Sequence, residues 1–184
     1  MPNKPLCSRQ MAATLLDKNE RTLRRWCTDG VLAVACTDAQ GRTMFEIDAI
    51  LALCGELKAA DDDMCELISA ADQGNAEAQN DLATLLLKTD RQASALSLFK
   101  MAADQDYPDA MHFLYQCHQS GMGTEANDAL AMMWLSKAAA HGHNIAQLQL
   151  TGIQELAEQA LYEHPKNNSG LNADAIHSTV HSGL

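Results

Sequence analysis

The chain has 184 residues, 47% hydrophobic and 20% charged, so it can hold one large or two small domains and is too apolar to be disordered throughout. Aromatic residues are only 4%, whereas Ala, Leu, Met and Gln are frequent, which favours helices over sheets. Residues 1–58 carry a net charge of +1 and residues 59–184 a net charge of −12. A nucleic-acid contact is therefore expected only in the first third, since phosphate repels the rest, and the acidic remainder suits a protein partner.

The first 58 residues predict the order helix, turn, helix, hairpin, helix. Ser8 and Asn19 are suitable N-caps for the first two helices, and Gly30 stands just past the second, where a left-handed residue commonly ends a helix. The predicted elements, in chain order, are helices over 8–16 and 19–28, strands over 31–36 and 42–45, and a third helix over 48–57.

Three short motifs lie along these elements: Thr22-Leu23-Arg24-Arg25-Trp26, then Asp29-Gly30-Val31-Leu32, then Gly41-Arg42 with Phe45 ahead of an apolar helix. In this order they resemble the MerR and excisionase-type winged helix-turn-helix family. The turn 17–19 departs from the family, because Lys18 stands where a valine is usually buried. The resemblance implies a DNA-binding head that works as a dimer on pseudo-palindromic sites, although no long dimerisation helix follows residue 57.

An internal repeat fills the second part of the chain. One helix ending recurs at 70–74, 102–106 and 138–142, at spacings of 32 and 36 residues. An alanine follows each copy at the same offset; these alanines are Ala78, Ala110 and Ala146. Residues 109–139, with their Ser-Gly-Met-Gly loop, resemble one complete Sel-one-like repeat, a relative of the tetratricopeptide repeat. The preceding copy has 88–92 in place of that loop and is about four residues shorter.

These patterns predict a mainly α protein in three parts. A small winged helix-turn-helix head with a short β-hairpin is expected over 1–58, a solenoid of α-helical hairpin repeats over 59–163, and a flexible tail over 164–184. Residues 145–162 are expected to cap the array at its C-terminal end. The acidic run 61–63 is expected to stabilise the start of the next helix, with a hinge between head and repeats as the alternative.

Basic residues near the second helix are the main candidates for a binding site. Arg21, Arg24 and Arg25 share one helical face, which could lie in a DNA major groove with guanidinium groups on guanine edges or phosphates. The predicted DNA-binding residues are Lys18, Arg21, Thr22, Arg24, Arg25 and Arg42. The alternative is a solvated basic face that pairs with Glu20 and Asp29, or a protein-binding face.

No cofactor, metal ion or catalytic activity is expected. His141 and His143, or Cys117 with His118, lack a second pair at ligand spacing, and the Gly-x-Gly of the repeat loop is a weak phosphate motif. Trp26, Trp134 and Phe45 stand at positions typical of a core.

The cysteines and the N-terminus predict a cytoplasmic protein. The six cysteines show no C-x-x-C spacing, which is typical of free thiols in a reducing compartment. No signal-peptide pattern is present, and no apolar stretch approaches the roughly 20 residues that a membrane span needs.

Two functions follow from these patterns. The first is a DNA-binding transcriptional regulator, or DNA-associated adaptor, whose repeats bind a protein partner or a second copy. The second is a protein–protein interaction adaptor whose winged helix no longer binds DNA. A nucleic-acid mimic is a weaker third reading, because the carboxylates are scattered along the repeats rather than grouped.

Overall fold

Helices dominate the computed structural model, which describes residues 4–55 and 62–163. In chain order its elements are β1 Leu6–Ser8, α1 Arg9–Leu16, α2 Glu20–Thr28, β2 Cys36–Thr37, β3 Thr43–Glu46, α3 Ile47–Leu53, α4 Asp62–Asp72, α5 Ala76–Lys88, α6 Gln92–Ala103, α7 Pro108–Ser120, α8 Asp128–Ala140 and α9 Asn144–Glu163. The prediction of a mainly helical protein with a small sheet is confirmed.

The chain divides into two compact units, Met1–Gln147 and Leu148–Leu184. The elements from β1 to α8 therefore share one unit. The boundary predicted near residue 58 and the tail over 164–184 fall on residues outside the described ranges and remain predictions.

The first two helices begin at the N-caps that the sequence predicts. The Ser8 hydroxyl accepts a hydrogen bond from the Met11 amide at 3.3 Å, and the Asn19 side chain accepts one from the Thr22 amide at 2.8 Å. In the turn between the helices, the Lys18 amide donates to the Ala13 carbonyl at 3.0 Å, and the lysine side chain is exposed. The Lys18 side chain therefore lies on the surface of this turn.

A three-stranded antiparallel sheet completes the head, in the order β1-β3-β2. The hairpin of β2 and β3, which the sequence predicts as a wing, pairs Cys36 with Met44. The strand predicted over 31–36 is wrong for all but its last residue, because 31–35 lie outside any strand. Val31 and Val34 in this segment are 54% and 48% exposed. Strand β1, which pairs with β3, was not predicted.

The third helix is shorter than predicted. It spans Ile47–Leu53, and Cys54 and Gly55 already lie outside it. Gly55 has a φ of 69°, a left-handed conformation that commonly ends a helix. The prediction of a helix through residue 57 is therefore wrong at its C-terminal end, and residue 57 itself lies outside the described residues.

The 32- and 36-residue spacings correspond to repeated contacts between paired helices. Gln79 donates its side-chain amide to the Ala71 carbonyl at 3.1 Å. Gln147, the equivalent residue two repeats later, donates to the Ala139 carbonyl at 3.0 Å. The three marker alanines are all buried: Ala78, Ala110 and Ala146. Small residues at these positions let neighbouring helices approach closely, as the repeat prediction requires.

The helical hairpins differ in their internal connections. Residues 89–91 join α5 to α6, whereas the longer loop 121–127 joins α7 to α8. In the longer loop, the Gly123 amide donates to the Gln92 side chain at 3.2 Å. A Cβ atom on Gly123 would lie 2.6 Å from the Gln92 carbonyl oxygen, so only glycine fits this approach.

Aromatic residues take the core positions that the sequence predicts, with one exception. Phe45 is fully buried and Trp134 is 9% exposed, which confirms both predictions. Trp26 is only half-buried. Between α6 and α7, the rings of Phe99 and Phe113 stack with their centroids 4.7 Å apart.

Candidate functional site

All the predicted DNA-binding residues except Arg24 line one of three surface depressions. Arg21, Thr22 and Arg25 line a shallow surface depression beside the α2 N-cap. Lys18 lines a different depression, toward the start of α6, and Arg42 lines a third, between α1 and the repeats. Asn19 lines both the first and the second depression, and Glu20 lines both the second and the third, so the three depressions adjoin one another. A common DNA-binding site of these residues remains a prediction.

The α2 arginines differ in their electrostatic partners. Arg24 Nη2 lies 3.6 Å from Glu20 Oε2, and both side chains are exposed. An ion pair in water contributes little to the free energy of folding. Arg21 and Arg25 are exposed, and no described residue forms an ion pair with either of them. The prediction of pairing with Glu20 thus holds for one arginine of the three.

Arg42 is held within the turn between β2 and β3. Its Nε donates to the Asp38 carboxylate at 2.6 Å, and this hydrogen bond raises the Arg42 pKa. The same carboxylate accepts hydrogen bonds from the Gln40 and Arg42 amides, at 3.0 and 2.8 Å, and so closes the turn between β2 and β3. The arginine is therefore engaged in the turn structure.

Sequence reasoning missed the contact between the head and the repeats. Asp72 at the end of α4 accepts hydrogen bonds from the Ser8 amide and hydroxyl. Arg91, in the short connection before α6, donates to the carbonyls of Leu15 and Cys54 in the head. No periodicity or spacing could have indicated these pairs, because the partners lie 37 to 76 residues apart.

An acidic surface on the repeats is defined here by Glu77, Asp81 and Asp109, whose charges act on Tyr107. The three carboxylates are exposed and come from the first helices of successive hairpins, α5 and α7. Burial, followed by the charges of Asp109, Glu77 and Asp81, raises the pKa of the Tyr107 hydroxyl. The sequence showed the excess of negative charge, but the convergence of these residues required the fold.

Two histidines stack at the end of the array, beside Asp109. The rings of His112 and His143 have centroids 4.3 Å apart, and His143 Nε2 lies 3.5 Å from an Asp109 oxygen. Burial and the nearby His112 lower the pKa of His143. Its Nδ1 accepts a hydrogen bond from the Ala146 amide at 3.0 Å, so it caps α9 as Asn75 caps α5. Within the described ranges no group of side chains has the arrangement of a metal site.

The buried thiols of Cys7 and Cys117 are poorly suited to nucleophilic chemistry. Burial raises the pKa of Cys7 to about 12 and that of Cys117 to about 11, so both are protonated at neutral pH. All six cysteines lie in the described ranges, and none of them forms a disulfide.

The comparison with solved structures finds similar chains, one of which is described here. No family model matches the chain, and no curated protein matches it. The crystal structure of a Sel1 repeat protein from Oxalobacter formigenes is similar at 30% identity over 56% of this chain, with a TM-score of 0.46. The match covers 34% of that protein, so this chain spans about a third of its length. In the part of the chain that the structure describes, no helix has the length and apolar character to cross a membrane.

Proposed function

We propose that this chain is a non-enzymatic adaptor that binds a partner protein on its helical repeats. The observation that carries the proposal is the acidic surface around Tyr107. Its carboxylates come from two hairpins, so an extended partner segment can contact both at once. Aromatic side chains are enriched at the energetic centres of protein interfaces.

The charge of this surface defines the partner. Three exposed carboxylates beside a tyrosine favour a segment that carries Lys or Arg, because complementary charge raises the association rate and excludes acidic competitors. The head packs mainly on α4 and α6, through β1, α1 and α3. The proposed partner surface lies on α5 and α7, the first helices of their hairpins.

A charge-neutralised variant tests this proposal. Immobilised wild type and the variant Glu77→Gln/Asp81→Asn/Asp109→Asn are compared for the proteins that they retain from the source cell. The matched control, Glu66→Gln/Glu125→Gln/Asp128→Asn, removes the same charge from other parts of the repeats. A partner retained by wild type and control is then purified, and its Kd is measured at two salt concentrations. We expect the Kd for wild type to rise with salt, because salt screens exposed charges.

Two results would contradict the adaptor function at this surface. One is a purified partner that binds the charge-neutralised variant as tightly as wild type. The other is the absence of any saturable protein partner for the folded wild type.

DNA binding by the head is the second candidate function, and the exposed guanidinium groups of Arg21 and Arg25 favour it. Because no described residue pairs with them, they are available for phosphate or guanine edges. The engagement of Arg42 with Asp38 and the net charge of only +1 over 1–58 favour the protein-binding function instead.

Duplex binding at two salt concentrations separates these functions. Wild type and the variant Arg21→Ala/Arg25→Ala are titrated with a mixed library of genomic fragments, with Lys137→Ala as the control that removes a distant cation. Sequence-selective binding that weakens with salt and disappears in the head variant would establish a DNA reader. A folded wild type that binds no duplex at low salt would exclude this function for the isolated chain.

A further inference from the structure

A cavity of about 270 Å³ lies where α1, the wing turn, α4 and α6 meet. Its apolar lining consists of Met11, Leu98 and Met101, of which the first two are 3% and 0% exposed. Pockets for drug-sized ligands begin at about 300 Å³, so a smaller molecule fits this volume. Neither the acidic surface nor the α2 arginines line this cavity.

Arg9 brings an unpaired positive charge to the cavity lining. Its Nη2 donates to the Thr43 hydroxyl at 2.5 Å, and its Nε is buried without an acceptor. No carboxylate oxygen of a described residue lies within 4.0 Å of the Arg9 guanidinium nitrogens. A buried guanidinium N–H without an acceptor is unfavourable, and the planar guanidinium fork matches the geometry of a carboxylate.

The other charged side chains in the lining already have partners. Both Asp72 oxygens accept hydrogen bonds from Ser8. Arg42 pairs with Asp38 at 2.6 Å, and Glu20 lies 3.6 Å from Arg24. Arg9 is therefore the cation of this lining that forms no ion pair with a described residue. The acidic groups nearby would repel a second negative charge on a ligand, which disfavours a phosphate dianion.

We propose that this cavity binds a small aliphatic monocarboxylate. The carboxylate pairs with Arg9, and the aliphatic chain packs against Met101, the half-buried residue of the apolar lining. Because the lining comes from both the head and the first repeat helices, a bound ligand stabilises their association. This site is independent of the proposed partner surface.

Calorimetric titration of the full chain with hexanoate tests the proposal. Hexanamide has the same shape without the charge, and inorganic phosphate carries charge without the aliphatic chain. We expect saturable hexanoate binding, at least about tenfold tighter than binding of either comparison compound, since a charged hydrogen bond contributes roughly that much. No saturable hexanoate binding, or equal affinity for hexanamide, would overturn the proposal.

Two variants test the two halves of the site. Arg9→Gln removes the charge, and Met101→Phe reduces the volume without changing the arginine; Arg21→Gln is the control for loss of a cation outside the cavity. We expect both site variants to weaken hexanoate binding at least about tenfold and the control to leave it unchanged. Circular dichroism establishes that each variant is folded, and Met101→Phe keeps the test valid if Arg9→Gln unfolds. Unchanged affinity in a folded site variant would exclude this cavity as the binding site.

Discussion

The Asp72 carboxylate accepts two hydrogen bonds from Ser8, at 2.8 Å from its amide and 2.5 Å from its hydroxyl. Ser8 is also the N-cap of α1, so a repeat helix places negative charge at the N-terminus of a head helix. Charge-assisted hydrogen bonds are stronger than neutral ones and depend on geometry. The head is therefore oriented on the array by specific polar contacts in addition to apolar packing.

Replacing Asp72 should lower the free energy of unfolding. Asp72→Asn removes the charge and one acceptor oxygen, and we expect a loss of about 1–3 kcal/mol in urea denaturation. Asp104→Asn is the matched control, because Asp104 is exposed on α6's C-cap and should change stability by less than about 0.5 kcal/mol. Equal losses in the two variants would contradict the role assigned to the Ser8 contact.

Replacing Arg91 should also destabilise the contact between head and repeats. Arg91 donates to the Leu15 carbonyl in the last turn of α1 and, at 2.6 Å, to the carbonyl of Cys54, the C-cap of α3. Helix C-termini leave carbonyls unsatisfied and favour a cation nearby. We expect Arg91→Gln to cost about 1.5–3 kcal/mol in urea denaturation. Lys88→Gln, which removes an exposed cation from α5, should have little effect on stability. A larger loss of stability in Lys88→Gln than in Arg91→Gln would exclude this role for Arg91.

The sequence was sufficient to predict the elements whose structure depends on residues close together in the chain. The starts of α1 and α2 were predicted correctly because Ser8 and Asn19 are N-cap residues followed by apolar positions at helical spacing. The prediction of the repeat agrees with the structure, in which Gln79 and Gln147, two repeats apart, each donate a hydrogen bond to an alanine carbonyl of the preceding helix. Both signals involve residues close in sequence or equivalent by repetition.

The sequence was insufficient where structure depends on distant partners. Strand β1 has only three residues and exists because β3 pairs with it, so no periodicity could show it. The run from Val31 to Ala35 has the composition of a strand, but it reaches β3 only at its end. The cavity beside Arg9 likewise needs residues from the head and from α4 and α6, which no local pattern brings together.

Substitution of Gly123 should destabilise the protein more than substitution of Gly142. Both glycines have a positive φ, but only Gly142 has free space around the position of a Cβ atom. Gly123 and Gly142 have φ values of 72° and 91°, and a Cβ on Gly142 would meet nothing within 4 Å. We expect Gly142→Ala to cost about 1–2 kcal/mol for the left-handed conformation alone. Gly123→Ala should cost about 1–3 kcal/mol more, because its Cβ would collide with the Gln92 carbonyl. Thermal unfolding of both variants measures the difference, and equal values would contradict the packing of this loop on α6.

His143 should make the stability of the last hairpin depend on pH. Burial and His112 lower its pKa in the folded protein, with Asp109 opposing them, whereas the unfolded chain titrates near the ordinary value of about 6.5. Below that pH the unfolded chain binds more protons, so the contribution of neutral His143 is complete above about pH 6.5 and is lost as the pH falls toward the folded pKa. Protonation of Nδ1 also removes the acceptor that caps α9.

A matched variant isolates this dependence. His143→Asn supplies a neutral cap like that of Asn75, so its stability should fall less than that of wild type between about pH 7.5 and 5. Urea denaturation at both pH values measures the change, and NMR titration of the His143 ring should give a pKa below 6.5. An identical pH dependence in the two proteins would show that His143 does not contribute to it.

The short connection before α6 has a consequence for how such proteins can be recombined. Repeat arrays usually gain or lose whole units freely, because each unit contacts only its neighbours. Here the connection 89–91 carries Arg91 to the carbonyls of α1 and α3, and a loop as long as 121–127 would move that arginine away from them. The head therefore depends on the short loop 89–91 for its contacts with Arg91. A head transplanted onto a repeat with a loop as long as 121–127 should pack on it only after that loop has been shortened in the same way.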